Sequence, residues 1–194
     1  MLVGEEALPP VSAARACCAF VWGATALRYG ASPLAVEIAL LCLALLAASL
    51  ADLAAMVIPN ACVAAALGLR VAYVLVAGLL GWEDPTALLR ESVAGAIVAL
   101  VPLLALTYAT DRVLDVESMG GGDLKLLAVA GMYVGWRSLP FLLVVACLGG
   151  LASSAVRSRG AMEPFPFGPA IAGATWIALM LEPFLDAWMR VYVA

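Results

Sequence analysis

The chain has 194 residues, 65% of them hydrophobic and 12% charged, with a net charge of −4 and a mean hydropathy of +1.08. A soluble domain is about 45–50% apolar and about 25% charged, so a soluble single domain and a disordered chain are both excluded, and a polytopic membrane protein remains. The acidic balance argues against nucleic-acid binding, and the absence of histidine removes Ser-His-Asp and Cys-His nucleophiles, His-ligated zinc and a His general base.

Residues 11–29 form the first apolar run, weaker than the others, with Arg15 and Arg28 near its ends. It either spans the membrane or lies in its interface, and spanning is the reading adopted. It starts behind Glu5 and Glu6, unlike a cleaved signal peptide. Clearer runs follow at 33–51, 60–81, 91–110, 123–136, 139–156 and 167–182, most of them near the ~20 residues that cross ~30 Å of hydrocarbon. The run at 123–136 is short. The expected fold is therefore all-α and polytopic: an N-terminal segment, 1–32, with an extra helix, then a membrane-embedded unit of six core helices over 33–194. Cys17, Cys18, Cys42, Cys62 and Cys147 lie in apolar runs without C-x-x-C spacing and read as small buried hydrophobes.

If 60–81 and 91–110 each cross once, Asp52 and Asp123 face the same compartment. Arg15, Arg112, Lys125, Arg157 and Arg159 lie on that side, and Arg28, Arg90, Arg137 and Arg190 on the other. The positive-inside rule turns this slight excess into a cytoplasmic placement of the two acids.

Asp52 closes an apolar run, with no Lys or Arg in the next seven residues. Alone it reads first as a solvated helix-end carboxylate, although an ionisable group at the membrane edge is also a functional candidate. Pro59 favours a break before the next helix, and Asn60 is placed to cap that helix. Asp123 follows three glycines in Met119-Gly120-Gly121-Gly122-Asp123-Leu124-Lys125. Such a run permits positive φ and close approach of another segment. The helix start and Lys125 both favour an ionised Asp123, and alone it reads as an N-capping residue behind a flexible loop. Two carboxylates on one side of a membrane, in a chain without histidine, suit an aspartyl dyad: one takes a proton from attacking water while the other donates to the peptide carbonyl. Sharing one proton is the natural state of such a pair.

These residues resemble the type IV prepilin peptidases. Gly120-x-Gly122-Asp123 with Leu-Lys-Leu behind it is similar to that family's GxGD signature. Asp52 with Ile58-Pro59-Asn60 resembles its first catalytic aspartate and the Pro-Asn step, and Pro166-Phe167-Gly168-Pro169 resembles the element that opens its last helix. The resemblance implies an aspartic endopeptidase of a prokaryotic plasma membrane. Its catalytic residues would be Asp52 and Asp123, with Gly120, Gly122, Lys125, Pro59, Asn60, Gly168 and Pro169 in supporting positions. Its partners would be prepilin-like proteins (type IV pilin, pseudopilin or archaellin-type precursors), cut behind a short basic leader at the cytoplasmic face, and no metal or other cofactor is required. Larger members carry paired C-x-x-C cysteines in a cytoplasmic domain and methylate the new N-terminus; this sequence resembles the short peptidase-only members, and cleavage without N-methylation is expected.

Arg70 falls mid-membrane, where an ion pair with Glu37 is the expected solution. Asp111, Asp115 and Glu117 read as a solvated loop face, with attraction of a basic leader as the alternative. Gly131 and Gly135 have small-xxx-small spacing for close helix packing. Phe165 and Phe167 either anchor at the interface or line a substrate groove. The alternative from a different class is a transporter or assembly subunit that uses Asp52 and Asp123 for cation or proton binding.

Overall fold

A computed structural model describes residues 11–115, 119–157 and 165–192. It contains six helices: α1 (Val11–Tyr29), α2 (Pro33–Ala55), α3 (Asn60–Leu79), α4 (Pro85–Leu114), α5 (Gly121–Arg157) and α6 (Gly168–Tyr192). No strand occurs among the described residues. Helices α2 to α6 are long and apolar enough to cross a membrane. α1 is the additional helix expected from the sequence, but it is not among those five; Arg15 and Arg28 interrupt its apolar character.

Local chemistry sets the ends. Ser32 caps α2 by accepting from the Ala35 N–H at 3.1 Å, and Pro33 occupies the first turn, where its missing N–H costs nothing. Asp84 and Pro85 repeat this arrangement at α4, with the Thr86 N–H donating to Asp84 at 2.9 Å. This cap starts α4 six residues before the apolar run at 91–110.

α5 combines two predicted runs. A straight helix of 37 residues would be about 55 Å long. Instead Gly135, with φ 76° and ψ 161°, interrupts it. Gly122, near one end, packs against Ile58, while Gly150, far along the second arm, lies against Phe165 and Phe167, beside Gly168 and Asp52. The chain therefore reverses at Gly135, and the arms 121–134 and 136–157 return to the same side. Gly135, expected with Gly131 to let helices pack closely, does lie against α4, where a Cβ on Gly95 would stand 3.3 Å from its Cα, and it also takes a backbone conformation that L side chains rarely adopt. The closest approach is between Gly131 and Gly95 of α4, the partner that the sequence pattern does not single out: a Cβ on Gly95 would fall on the Gly131 carbonyl.

The core joins α2, α3, α5 and α6 through Leu41, Leu45, Ala66, Leu126, Leu142 and Ile171. α2 packs on α1, α3 and α6, whereas α5 packs on α3, α4 and α6. Large apolar residues such as Leu75, Leu106 and Val144 point outward, as a lipid-solvated surface requires. For the same reason the expectation of uniformly buried cysteines fails: Cys42 is buried, but Cys17 and Cys147 are on outward faces. α1 leans on α6 as well, through the Tyr29 hydroxyl, which donates to the Leu179 carbonyl at 2.7 Å, and through Phe20 edge-on to Trp176.

Candidate active site

Asp52 sits in the last turn of α2 and is buried, 5% exposed. Its carbonyl accepts the Met56 N–H at 2.8 Å, and Met56 ends the helix in the left-handed region at φ 51°. The side chain turns toward α6, where Oδ2 accepts the Gly168 N–H at 2.7 Å. Phe167-Gly168-Pro169 makes this contact possible. The Ala170 and Ile171 N–H groups both return to the Phe167 carbonyl, and Pro169 has no N–H, so Gly168 supplies the donor. A Cβ on Gly168 would stand 2.9 Å from Asp52 Oδ2. The N-terminus of α6 thus presents both a hydrogen bond and the positive end of a helix dipole to this carboxylate.

Asp123 lies in the first turn of α5, close enough to Asp52 for the two charges to act on each other. Its N–H donates to the Gly120 carbonyl at 3.1 Å. Its Oδ1 is the one buried side-chain polar atom among the described residues with no hydrogen-bond partner. A buried acceptor left open in this way is costly in a structural role and suits an oxygen that meets a reactant. It is not the plain N-cap that the local sequence suggests.

Two contacts pin the link between α2 and α3 across the start of α5. Ile58, 7% exposed, lies over Gly122, where a Cβ would come within 3.1 Å of the Ile58 Cβ. Lys125 Nζ donates to Asn60 Oδ1 at 3.0 Å. Three expectations change here. Asn60 does not cap α3, because it is already the first residue of the helix and Pro59 holds the cap position without a side-chain bond; its oxygen accepts from Lys125 instead. Lys125 is directed to Asn60. None of Gly120, Gly121 and Gly122 has positive φ; at Gly122 the missing Cβ serves close approach.

The other singled-out residues separate into groups. Phe165 and Phe167 stack edge-on at 6.1 Å and close against Gly150. Asp111 and Asp115 lie at the end of α4, on the side of the two acids; Glu117 and Arg159 lie outside the described residues. Arg70 and Glu37 form the expected ion pair, at 3.2 Å and buried, away from the acids. The sequence reading missed the companions of that pair, Ser92 and Tyr133, whose only signal was a polar group inside an apolar run.

The fold and the site define a helical, polytopic membrane protein that brings two aspartates together on one side of the layer, under the N-terminus of its last helix. Residues 39–155 match the model of the type IV leader peptidase family, and the chain belongs to that family. Among similar proteins are the prepilin leader peptidase/N-methyltransferases of Pseudomonas putida, 36% identical over 167 residues, and of Stutzerimonas stutzeri, 32% identical over 167 residues; each alignment covers 84% of this chain, and 56% and 55% of those proteins. The protein of the same name from Aeromonas salmonicida strain A449 is 36% identical over 118 residues, 59% of this chain and 40% of that protein. The chain thus spans between 40% and 56% of the length of these relatives. No solved structure matches it.

Proposed function

We propose that this protein is an aspartic endopeptidase of a bacterial inner membrane that removes the short basic leader from prepilin-like precursors. The observation that carries the reading is the asymmetry of the paired acids. Asp52 accepts a backbone N–H, while Asp123 keeps a buried oxygen open beside it. An ionised carboxylate held by a helix N-terminus is suited to take a proton from water, and a second carboxyl is suited to donate one to the scissile carbonyl. Which acid holds the shared proton belongs to the coupled pair. Gly168 and Pro169 orient Asp52, Gly120 and Gly122 admit Asp123 to the site, and Pro59, Asn60 and Lys125 hold the link that joins them.

Cleavage takes place at the cytoplasmic face, in line with the charge distribution and with the side that Asp52, Asp123, Gly150 and Gly168 share. It proceeds without N-methylation. In support, α1 and α2 are joined by a turn of three residues, 30–32, and none of the five cysteines has C-x-x-C spacing. The unit over 33–194 carries the reaction, and α1 is an addition to it.

The test is cleavage of a prepilin from the same genome in membranes holding the wild-type chain, Asp52→Asn or Asp123→Asn, with the mass of the product read alongside. Cleavage by the wild type alone, giving an unmethylated product, supports the reading. Undiminished cleavage by either variant removes that acid from the mechanism, and a methylated product overturns the single-activity assignment.

A further inference from the structure

The helices that carry the two acids reach each other through intermediaries. α2 and α5 each pack on α3 and α6, so the distance between Asp52 and Asp123 depends on how α3 is held. A buried polar network holds it. The Arg70 guanidinium of α3 donates to both carboxylate oxygens of Glu37 on α2, at 3.2 and 3.4 Å, and to the Ser92 hydroxyl of α4 at 2.9 Å. Its guanidinium carbon lies 5.3 Å from the ring centre of Tyr133 on α5, and the Tyr133 hydroxyl donates to the Ala66 carbonyl of α3 at 2.7 Å. Four helices therefore meet at one guanidinium.

The register of these contacts matters. Arg70 lies ten residues beyond Asn60 and Tyr133 ten beyond Asp123, about 15 Å of helix in each case. Neither residue reaches the reacting atoms. At the other end of α3, however, Asn60 receives Lys125, two residues past Asp123, and the four-residue link 56–59 connects α3 to the turn that holds Asp52. A tilt of α3 is thus passed to both acids. An Arg at mid-membrane is costly unless it is partnered, so a guanidinium that satisfies three other helices resists such a tilt.

We propose that Arg70, Glu37 and Tyr133 are positioning residues for the two-aspartate site: they clamp α2 and α5 to α3 and so set the separation of Asp52 and Asp123. The catalytic consequence rests on the peptidase reading, whereas the geometric one does not, and two readouts keep them apart. In an otherwise cysteine-free chain, spin labels at Val57→Cys and Gly121→Cys report the separation of the two loops by electron paramagnetic resonance. Arg70→Met, Tyr133→Phe and the neutral pair Glu37→Gln/Arg70→Gln are compared in that background, and prepilin cleavage is measured in the native-cysteine chain.

The expected result is one narrow distance in the parent, a broadened or shifted one in Arg70→Met, and a smaller shift in the neutral pair, which leaves no unpaired buried charge but gives up the reach of the guanidinium to Ser92 and Tyr133. The turnover number of folded Arg70→Met falls about 10²-fold with KM nearly constant, since a misplacement of about 1 Å costs that much. Tyr133→Phe loses about fivefold, the worth of one hydrogen bond. Should Arg70→Met fail to fold, Tyr133→Phe and the neutral pair decide. Unchanged distances in the variants, or folded variants that turn over as fast as the parent, overturn the proposal. A parent that leaves prepilin uncut counts against the peptidase reading alone, and the distances still judge the clamp.

Discussion

Two buried polar regions in this protein solve the same problem in opposite ways. Around Arg70 no buried side-chain polar atom of the described residues is left open: Glu37, Ser92 and the ring of Tyr133 surround the guanidinium, and the Tyr133 hydroxyl bonds to the backbone of α3. Around Asp52 and Asp123 the satisfaction is partial, with the Gly168 N–H on one acid and a buried oxygen of the other left open. A saturated network has nothing left to offer a reactant and acts as a joint. An open acceptor beside a second acid is a poor joint, and it is where a proton and a carbonyl can be received. A carboxylate serves both purposes, and its partners decide which.

This contrast can be broken most severely at the open end. Asp52→Asn and Asp123→Asn should each lower the cleavage rate by about 10²–10⁴-fold, the range for losing a positioned acid or base, while the helical circular-dichroism spectrum stays unchanged. Next comes the seat of Asp52. In Gly168→Ala the new Cβ meets Oδ2 at 2.9 Å, and an expected loss of about 10²-fold in turnover follows from displacing the carboxylate; single-turnover cleavage is the suitable measurement. Lys125→Met removes the bond to Asn60 at an exposed position. A net hydrogen bond of about 1 kcal/mol limits the effect to about fivefold, and initial rates at several salt concentrations would read it.

The smallest effect concerns the loop on the side of the Arg70 network. The hydroxyl and backbone N–H of Thr86 both bond to Asp84, and these bonds hold its carboxyl below the ordinary carboxylate value of 3.8. A depressed value means that the ionised form is favoured in the folded chain. The cap is therefore fully present above the unfolded value and is lost as pH falls through the folded one. A loss of protection at Thr86 and Leu88 on acidification, measured against the intrinsic exchange rate at each pH and abolished by Asp84→Asn, is the expected signature. Exchange at the same positions that ignores pH would remove the cap from the account of where α4 begins.

Much of the architecture was legible because lipid leaves few alternatives. Backbone groups in hydrocarbon must be satisfied within a helix, so a long apolar run is already an element, and the parity of the crossings put Asp52 and Asp123 on one side without any coordinates. The motif around Gly122 and Asp123 likewise pointed to the family whose model matches residues 39–155. Other features depend on partners distant in the chain and could not be read this way. Asn60 looked like a cap because helix starts commonly use one, yet Lys125, 65 residues away, claims its oxygen. Gly135 had the spacing of a packing residue, and only its dihedral angles make it the reversal point of α5.

The sequence by itself determined that this is an all-helical membrane protein and singled out two acids on one side of it as the candidate pair, because composition, crossing parity and local motifs are properties of short stretches of chain. Tertiary structure alone decided what each acid receives: a backbone N–H from α6 for Asp52, no partner for one oxygen of Asp123, and a joint of four helices to hold them in register. Hydrogen bonds and burial are satisfied between segments, and no single segment carries the information about which other one will meet it.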